Sequence, residues 1–171
     1  MVSMHNFNLK ITPSDKDYII QAECLSVGEA GPHPIKKDLL FNLNTYDYSA
    51  VQIVGRNLYK IIFQSDIGRL FDRALAITES ESSRLRLLFK FKQSQELHEI
   101  PWELLHNGQS FLAVNPSIPM ARYPEQAKKV KSLKVKSPVR VLFTTACPPG
   151  SPPLDLSTEE RHMRSALKAL S

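Results

Sequence analysis

An α/β fold is predicted for this chain: an α+β N-terminal part, then the first strand–helix unit of a parallel sheet. Three patterns predict it. "RLRLLFKFK" alternates apolar and basic residues with a period of two, as a strand with one wet side requires. Two segments between residues 51 and 75 repeat apolar residues at helical spacing. Finally, "PVRVLFTTA" is a β-branched, apolar run without alternation, as in a strand buried on both faces, and a capped helical pattern follows it.

In chain order, Phe7, Leu9 and Ile11 alternate with polar residues, "PSDKD" supplies a turn, and Tyr18, Ile20, Ala22 and Cys24 alternate again. This predicts an antiparallel hairpin with Cys24 facing inward as a small core residue. "GEAGPHP" has two glycines and two prolines in seven residues and is expected to be a loop.

Ser49 and Gln52 have capping-box spacing ahead of Val51, Val54, Leu58 and Ile61 or Ile62. A second helix is expected from Ser65 or Asp66, its stripe formed by Ile67, Leu70, Phe71, Ala74 and Leu75, with "TESESS" as its polar end. In the strand that follows, Leu85, Leu87, Phe89 and Phe91 face one way. Arg84, Arg86, Lys90 and Lys92 face the other and are read as a solvated sheet surface, with Leu88 breaking the pattern.

Pro101 suits the first turn of a short helix holding Trp102, Leu104 and Leu105. Trp102 is read as a buried anchor between helix and sheet. "HNG" is a turn, "SFLAV" a short strand, and "NPSIPMARYPE" an extended edge or connecting segment, because proline excludes a central strand. The prolines of "CPPGSPPLDL" make a rigid loop. Ser157 and Glu160 have capping-box spacing at the start of a last helix striped by Met163, Ala166, Leu167 and Leu170.

The 171 residues carry a net charge of +5, and Lys128, Lys129, Lys131, Lys134 and Lys136 account for all of it. The basicity therefore belongs to one short segment, read as a solvated linker; without interleaved aromatic residues it does not suggest nucleic-acid binding. No apolar run approaches the ~20 residues of a membrane span, and the N-terminus lacks the zones of a secretory signal, so a cytoplasmic protein is expected.

Catalytic, cofactor-binding and metal sites are all expected to be absent. Cys24 and Cys147 are far apart, and the histidines are scattered. His98, Glu99, Glu103 and His106 form HExxxExxH, which is not zinc spacing, and Pro101 interrupts any helix there. Asp47, Asp66 and Asp72 suggest no carboxylate pair. Cys147 ends an apolar run, a position where an α/β enzyme can hold a nucleophile. Its neighbours Ala146, Pro148 and Pro149 offer no base, and His162 sits on the next helix, so Cys147 is read as a structural thiol. The loop after it has one glycine among four prolines and is no phosphate cradle.

"IPWELLH" with "FLAVNP" after it, then "ARYPE", "VRVLFTTACPPG" and "LDLSTEE", resemble the N-terminal half of CHAT domains, which are caspase-like domains associated with tetratricopeptide repeats. "GRNLYKIIFQSDIGRLFDRALA" resembles the helical part that precedes these motifs, so the likeness covers roughly residues 50 to 171. The resemblance implies a cysteine peptidase with a His–Cys dyad, both members beyond Ser171. It assigns the strand ending at Cys147 to the first strand of the caspase-like sheet, which does not carry the nucleophile.

On this reading residues 1–126 are an α+β region, 127–137 a lysine-rich linker, and 138–171 an incomplete caspase-like unit. The implied partners are the remaining half of the peptidase or another protein, with repeat or sensor domains as regulators. The competing expectation is a non-enzymatic interaction module that completes its sheet with a partner.

Overall fold

In the computed structural model, which describes residues 3–41, 48–92, 94–124, 140–145 and 155–168, period-two alternation builds a five-stranded mixed sheet. Its strands are β1 (Met4–Pro13), β2 (Tyr18–Cys24), β3 (Gly28–Ile35), β4 (Arg84–Phe91) and β5 (Met120–Pro124). Their order is β3-β2-β1-β4-β5. The expected hairpin is present: β1 pairs antiparallel with β2, Leu9 opposite Ala22 and Ile11 opposite Ile20. On its other side β1 pairs parallel with β4, placing Phe7 beside Leu87, Leu9 beside Phe89 and Ile11 beside Phe91. β5 is a parallel edge strand on β4. The fold is α/β.

A parallel pair needs a long crossover. Here α1 (Lys37–Phe41), α2 (Tyr48–Ile62) and α3 (Ser65–Ser80) lie between β3 and β4 in the chain. The helical stripes face the core as their spacing predicts. Val54, Leu58 and Ile62 are buried from α2; Ile67, Leu70, Phe71 and Ala74 from α3. Phe63, at the joint of the two helices, lies 4.4 Å from Phe71, whose ring meets Phe7 of β1 edge-on at 5.2 Å. Each such side chain contributes roughly 1.5–3 kcal/mol through removal from water. Cys24 is 1% exposed in this core.

Several expectations are corrected. "GEAGPHP" belongs to an edge strand, β3, rather than to a loop. An edge tolerates Pro32 and Pro34 because one side of its ladder needs no donors. The pairing is irregular between Ile20 and Ala22. There Gly31 has φ +88°, and a Cβ would lie 2.8 Å from the Ile20 carbonyl oxygen, so this crossing requires glycine. Ser49 lies inside α2 rather than ahead of it, and α3 runs on through Ser80. "SFLAV" contributes only Phe111 to an isolated bridge with His106, and Leu112–Val114 is a 3-10 turn. The Asn107 side chain explains it: its Oδ1 accepts from the N–H groups of Gln109 and Ser110, closing a tight turn too short for a longer ladder.

The chain divides into two units, Met1–Lys129 and Val130–Ser171. In the second, Arg140–Thr145 pairs with no strand among the described residues and is exposed throughout, contrary to the expected doubly buried strand. An apolar run with no neighbouring strand cannot satisfy its backbone groups internally and leaves them to water. Helix α4 (Leu156–Lys168) buries none of its residues. No helix among the described residues is long and apolar enough to cross a membrane.

The cap of α4 is Asp155, not Ser157. Its carboxylate accepts from the Ser157 hydroxyl at 2.6 Å, the Thr158 hydroxyl at 2.7 Å and the Thr158 N–H at 3.1 Å. Those bonds, the serine hydroxyl's first, lower its pKa from 3.8 to about 2. A carboxyl depressed by folding stabilises the folded form above its unfolded pKa and loses that contribution as pH falls through the folded value. The Thr158 amide resonance of α4 is therefore expected to be constant above about pH 4 and to titrate with a midpoint of about 2. Asp155→Ala is expected to abolish that titration and fray the first turn.

Candidate functional site

The motifs between Ile100 and Pro124 converge on β4. Pro101 precedes the 3-10 turn Trp102–Leu104, and that turn drives the tryptophan under the sheet. Trp102 is 1% exposed. Its ring stacks on Phe89 at 5.0 Å and Phe91 at 5.4 Å, and its indole N–H donates to the Leu97 carbonyl at 2.8 Å. The aromatic body is thus dry while its one polar atom is satisfied, the condition for burying tryptophan. On the other side, the His106 N–H donates to the Gly55 carbonyl of α2 at 3.2 Å. A Cβ on Gly55 would collide with the Leu104 carbonyl, so the turn and α2 touch backbone to backbone.

Arg122 of β5 joins these pieces. Its guanidinium donates to the carbonyl oxygens of His98 and Ile100 and to the Glu103 carboxylate at 2.6 Å. "ARYPE" and "IPWELLH" are therefore held by one side chain. The Arg122 Nε–H is buried without a partner among the described residues.

The HExxxExxH residues do not converge on a ligand. Glu103 is committed to Arg122. His98 meets the Phe91 ring at 4.9 Å, nearly perpendicular. His106 is 3% exposed; its Nδ1 accepts from the Gly108 N–H at 2.9 Å, and its ring meets Phe111 edge-on at 4.8 Å. Among the described residues no group of three or more His, Cys, Asp or Glu side chains is placed to hold a metal ion. Asp66 pairs with His33 of β3 and accepts from the Gly31 N–H at 3.2 Å; the histidine first and the amide second hold its carboxyl below the usual range. Asp72 and His162 are exposed on α3 and α4. Asp47, Cys147 and Lys128–Lys136 lie outside the described residues.

One arrangement escaped the sequence because its members are distant in the chain. The Ser26 hydroxyl lies 3.0 Å from His5 Nδ1, and His5 Nε2 lies 2.8 Å from the Glu81 carboxylate. Cys24 Sγ is 3.3 Å from the same hydroxyl. The connectivity is that of a serine–histidine–acid relay. However, the next backbone donor, the Val27 N–H, is already given to the Cys24 carbonyl at 2.9 Å, so it is unavailable to an oxyanion. The chain of bonds instead ties the β2–β3 turn to β1 and the end of α3. A second tie closes the opposite end of β2: the buried Tyr18 hydroxyl donates to Glu96, which also pairs with Lys37 at 2.7 Å. Burial first, then the bond to Glu96, raises the Tyr18 pKa, while the Lys37 bond first and the Tyr18 bond second lower that of Glu96.

The helices of the first unit cover one face of the sheet. The other face carries Asn8, Lys10, Gln21, Glu23, Lys90 and Lys92, none of them buried. A concavity of about 470 Å³ lies over these side chains and Tyr123. Lys90 Nζ sits 5.9 Å from the centre of the Tyr123 ring. The sequence identified the basic side of β4 but not its neighbours, which only the register between strands reveals.

Replacing Arg122 by alanine leaves three acceptors without their donor. It is expected to destabilise the first unit by roughly 1–3 kcal/mol in denaturant unfolding. Trp102 fluorescence should report a changed environment before β4 opens.

No family model matches this chain, and neither does any curated protein or solved structure.

Proposed function

We propose that residues 50–171 form the N-terminal part of a CHAT-type, caspase-like cysteine peptidase. In this reading the chain carries neither catalytic residue and is inactive alone. The observation that supports it most is the interlock at β4. The segments carrying the resemblance, "IPWELLH" and "ARYPE", hold each other through Arg122 and pack through Trp102, so they act as one physical unit. A supporting point is chemical. Cys24 is buried in the apolar core with its Sγ bonded to the Ser26 hydroxyl, and His106 is buried against Phe111, so these two groups do not pair as thiolate and imidazole. The chain's role is then to support a catalytic half, in proteolysis regulated by repeat or sensor domains in the cytoplasm.

A second reading rests on a different observation. Val141, Leu142 and Phe143 are 56%, 88% and 39% exposed, and α4 exposes Leu156, Met163 and Leu167. An apolar segment followed in the chain by an amphipathic helix suits an interaction module that adds its strand to a partner's sheet.

The two readings separate in one experiment. The native gene is read past the Ser171 codon, and the resulting protein is treated with a cysteine-directed peptidase probe alongside the chain of 171 residues. The peptidase reading expects an open frame supplying a histidine and a cysteine at strand ends, and labelling of the longer protein only. A stop codon directly after Ser171, or labelling of the 171-residue chain at Cys24 or Cys147, contradicts it.

A further inference from the structure

We propose that the polar face of the first unit's sheet binds a small molecule with an anionic group at one end, phosphate or carboxylate, and an amine at the other. Two registered pairs of like charges point to it. Lys10 of β1 is paired directly with Lys90 of β4, and Lys92 is the next residue on that face. Glu23 of β2 is paired directly with Glu29 of β3. Like charges at paired positions of adjacent strands, roughly 4.8 Å apart, repel each other. Sequences ordinarily relieve such pairs with an opposite charge.

Here the relief is missing. Among the described residues Lys10, Lys92, Glu23 and Glu29 make no ion pair, and Lys90 meets only the Tyr123 ring. These are also not edge lysines that discourage aggregation, since β1 and β4 are interior strands. Uncompensated lysine charge retained on two interior strands is the kind of local conflict expected where a ligand supplies the countercharge.

Geometry sets the size of the ligand. The two pairs line the same concavity of about 470 Å³. From strand spacing and rise, the positions of Lys10 and Lys90 lie roughly 8–16 Å from those of Glu23 and Glu29. Asn8 and Gln21 lie between them on neighbouring strands, neutral groups able to donate to or accept from the middle of a ligand. Tyr123, registered with Lys90, closes the cationic end with an aromatic wall. A ligand of uniform charge would meet repulsion at one end. One with opposite charges at its two ends meets attraction at both.

The test uses the whole chain at low ionic strength and two probes, inorganic pyrophosphate and aminohexyl phosphate, titrated while backbone amides are followed by NMR. Both probes are expected to shift Lys10, Lys90 and Tyr123 saturably, and K10Q/K90Q is expected to weaken both by at least about tenfold. The E23Q/E29Q variant gives effects of opposite sign: tighter pyrophosphate, because repulsion is removed, and weaker aminohexyl phosphate, because the amine loses its partner. Three results would overturn the proposal. They are absence of saturable shifts at these positions, binding unchanged by K10Q/K90Q, and E23Q/E29Q moving both affinities the same way.

Discussion

The parallel pairing of β1 with β4 is the constraint on which the rest of the first unit depends. It brings Phe7, Leu9 and Ile11 beside Leu87, Phe89 and Phe91 in one apolar stripe through the centre of the sheet. Such a pairing cannot form locally, since some seventy residues separate the strands, and its loop-closure entropy must be recovered from long-range contacts. The crossover supplies them. α3 lies across β3, β2, β1 and β4, and α2 packs against the turn that holds Trp102. Because side chains alternate strictly, the same register places Asn8, Lys10 and Lys90 on the opposite face together. The core and the open polar face are thus two consequences of one alignment.

β4 also serves as the mounting surface for the segment that follows it. The residues from Leu97 to Ile118 form no long strand or helix, yet Leu97, Ile100, Trp102, Leu105, Leu112 and Ile118 are all buried. Irregular backbone can be buried only when its polar groups find partners. Those partners are specific: Arg122 for the carbonyls of His98 and Ile100, the Trp102 indole for Leu97, and the Leu105 carbonyl for the Leu112 N–H at 2.8 Å. This segment carries "IPWELLH" and "FLAVNP". Short motifs separated by turns are what a chain needs when side-chain bonds replace ladders.

Where periodicity was strong, the fold was legible in the sequence. The alternation of β1, β2 and β4 and the stripes of α2 and α3 fall on the expected residues, because burial on one face acts at every repeat. Context-dependent features were not legible. β3 is a strand despite Pro32 and Pro34 because it occupies an edge, and edges are a property of the assembled sheet. The apolar run at Arg140–Thr145 has strand propensity but no strand beside it among the described residues, so propensity alone does not decide its state. Asp155 caps α4 in place of Ser157, since both residues are competent caps and local geometry selects one. The Ser26–His5–Glu81 relay and the lysine and glutamate pairs depend on registers between segments distant in sequence.

The central claim is that β1, β4 and the Trp102 segment form one cooperative body, and native-state hydrogen exchange tests it most directly. The informative protons are the β1 and β4 ladder amides and the Trp102 indole N–H, which is bonded to Leu97 at 2.8 Å. If the account holds, they exchange together as the slowest group and respond alike to denaturant, as members of one unfolding unit do. If the indole proton exchanges freely while the β4 amides remain protected, the segment is a loose cover. The interlock at β4 would then not organise this part of the chain.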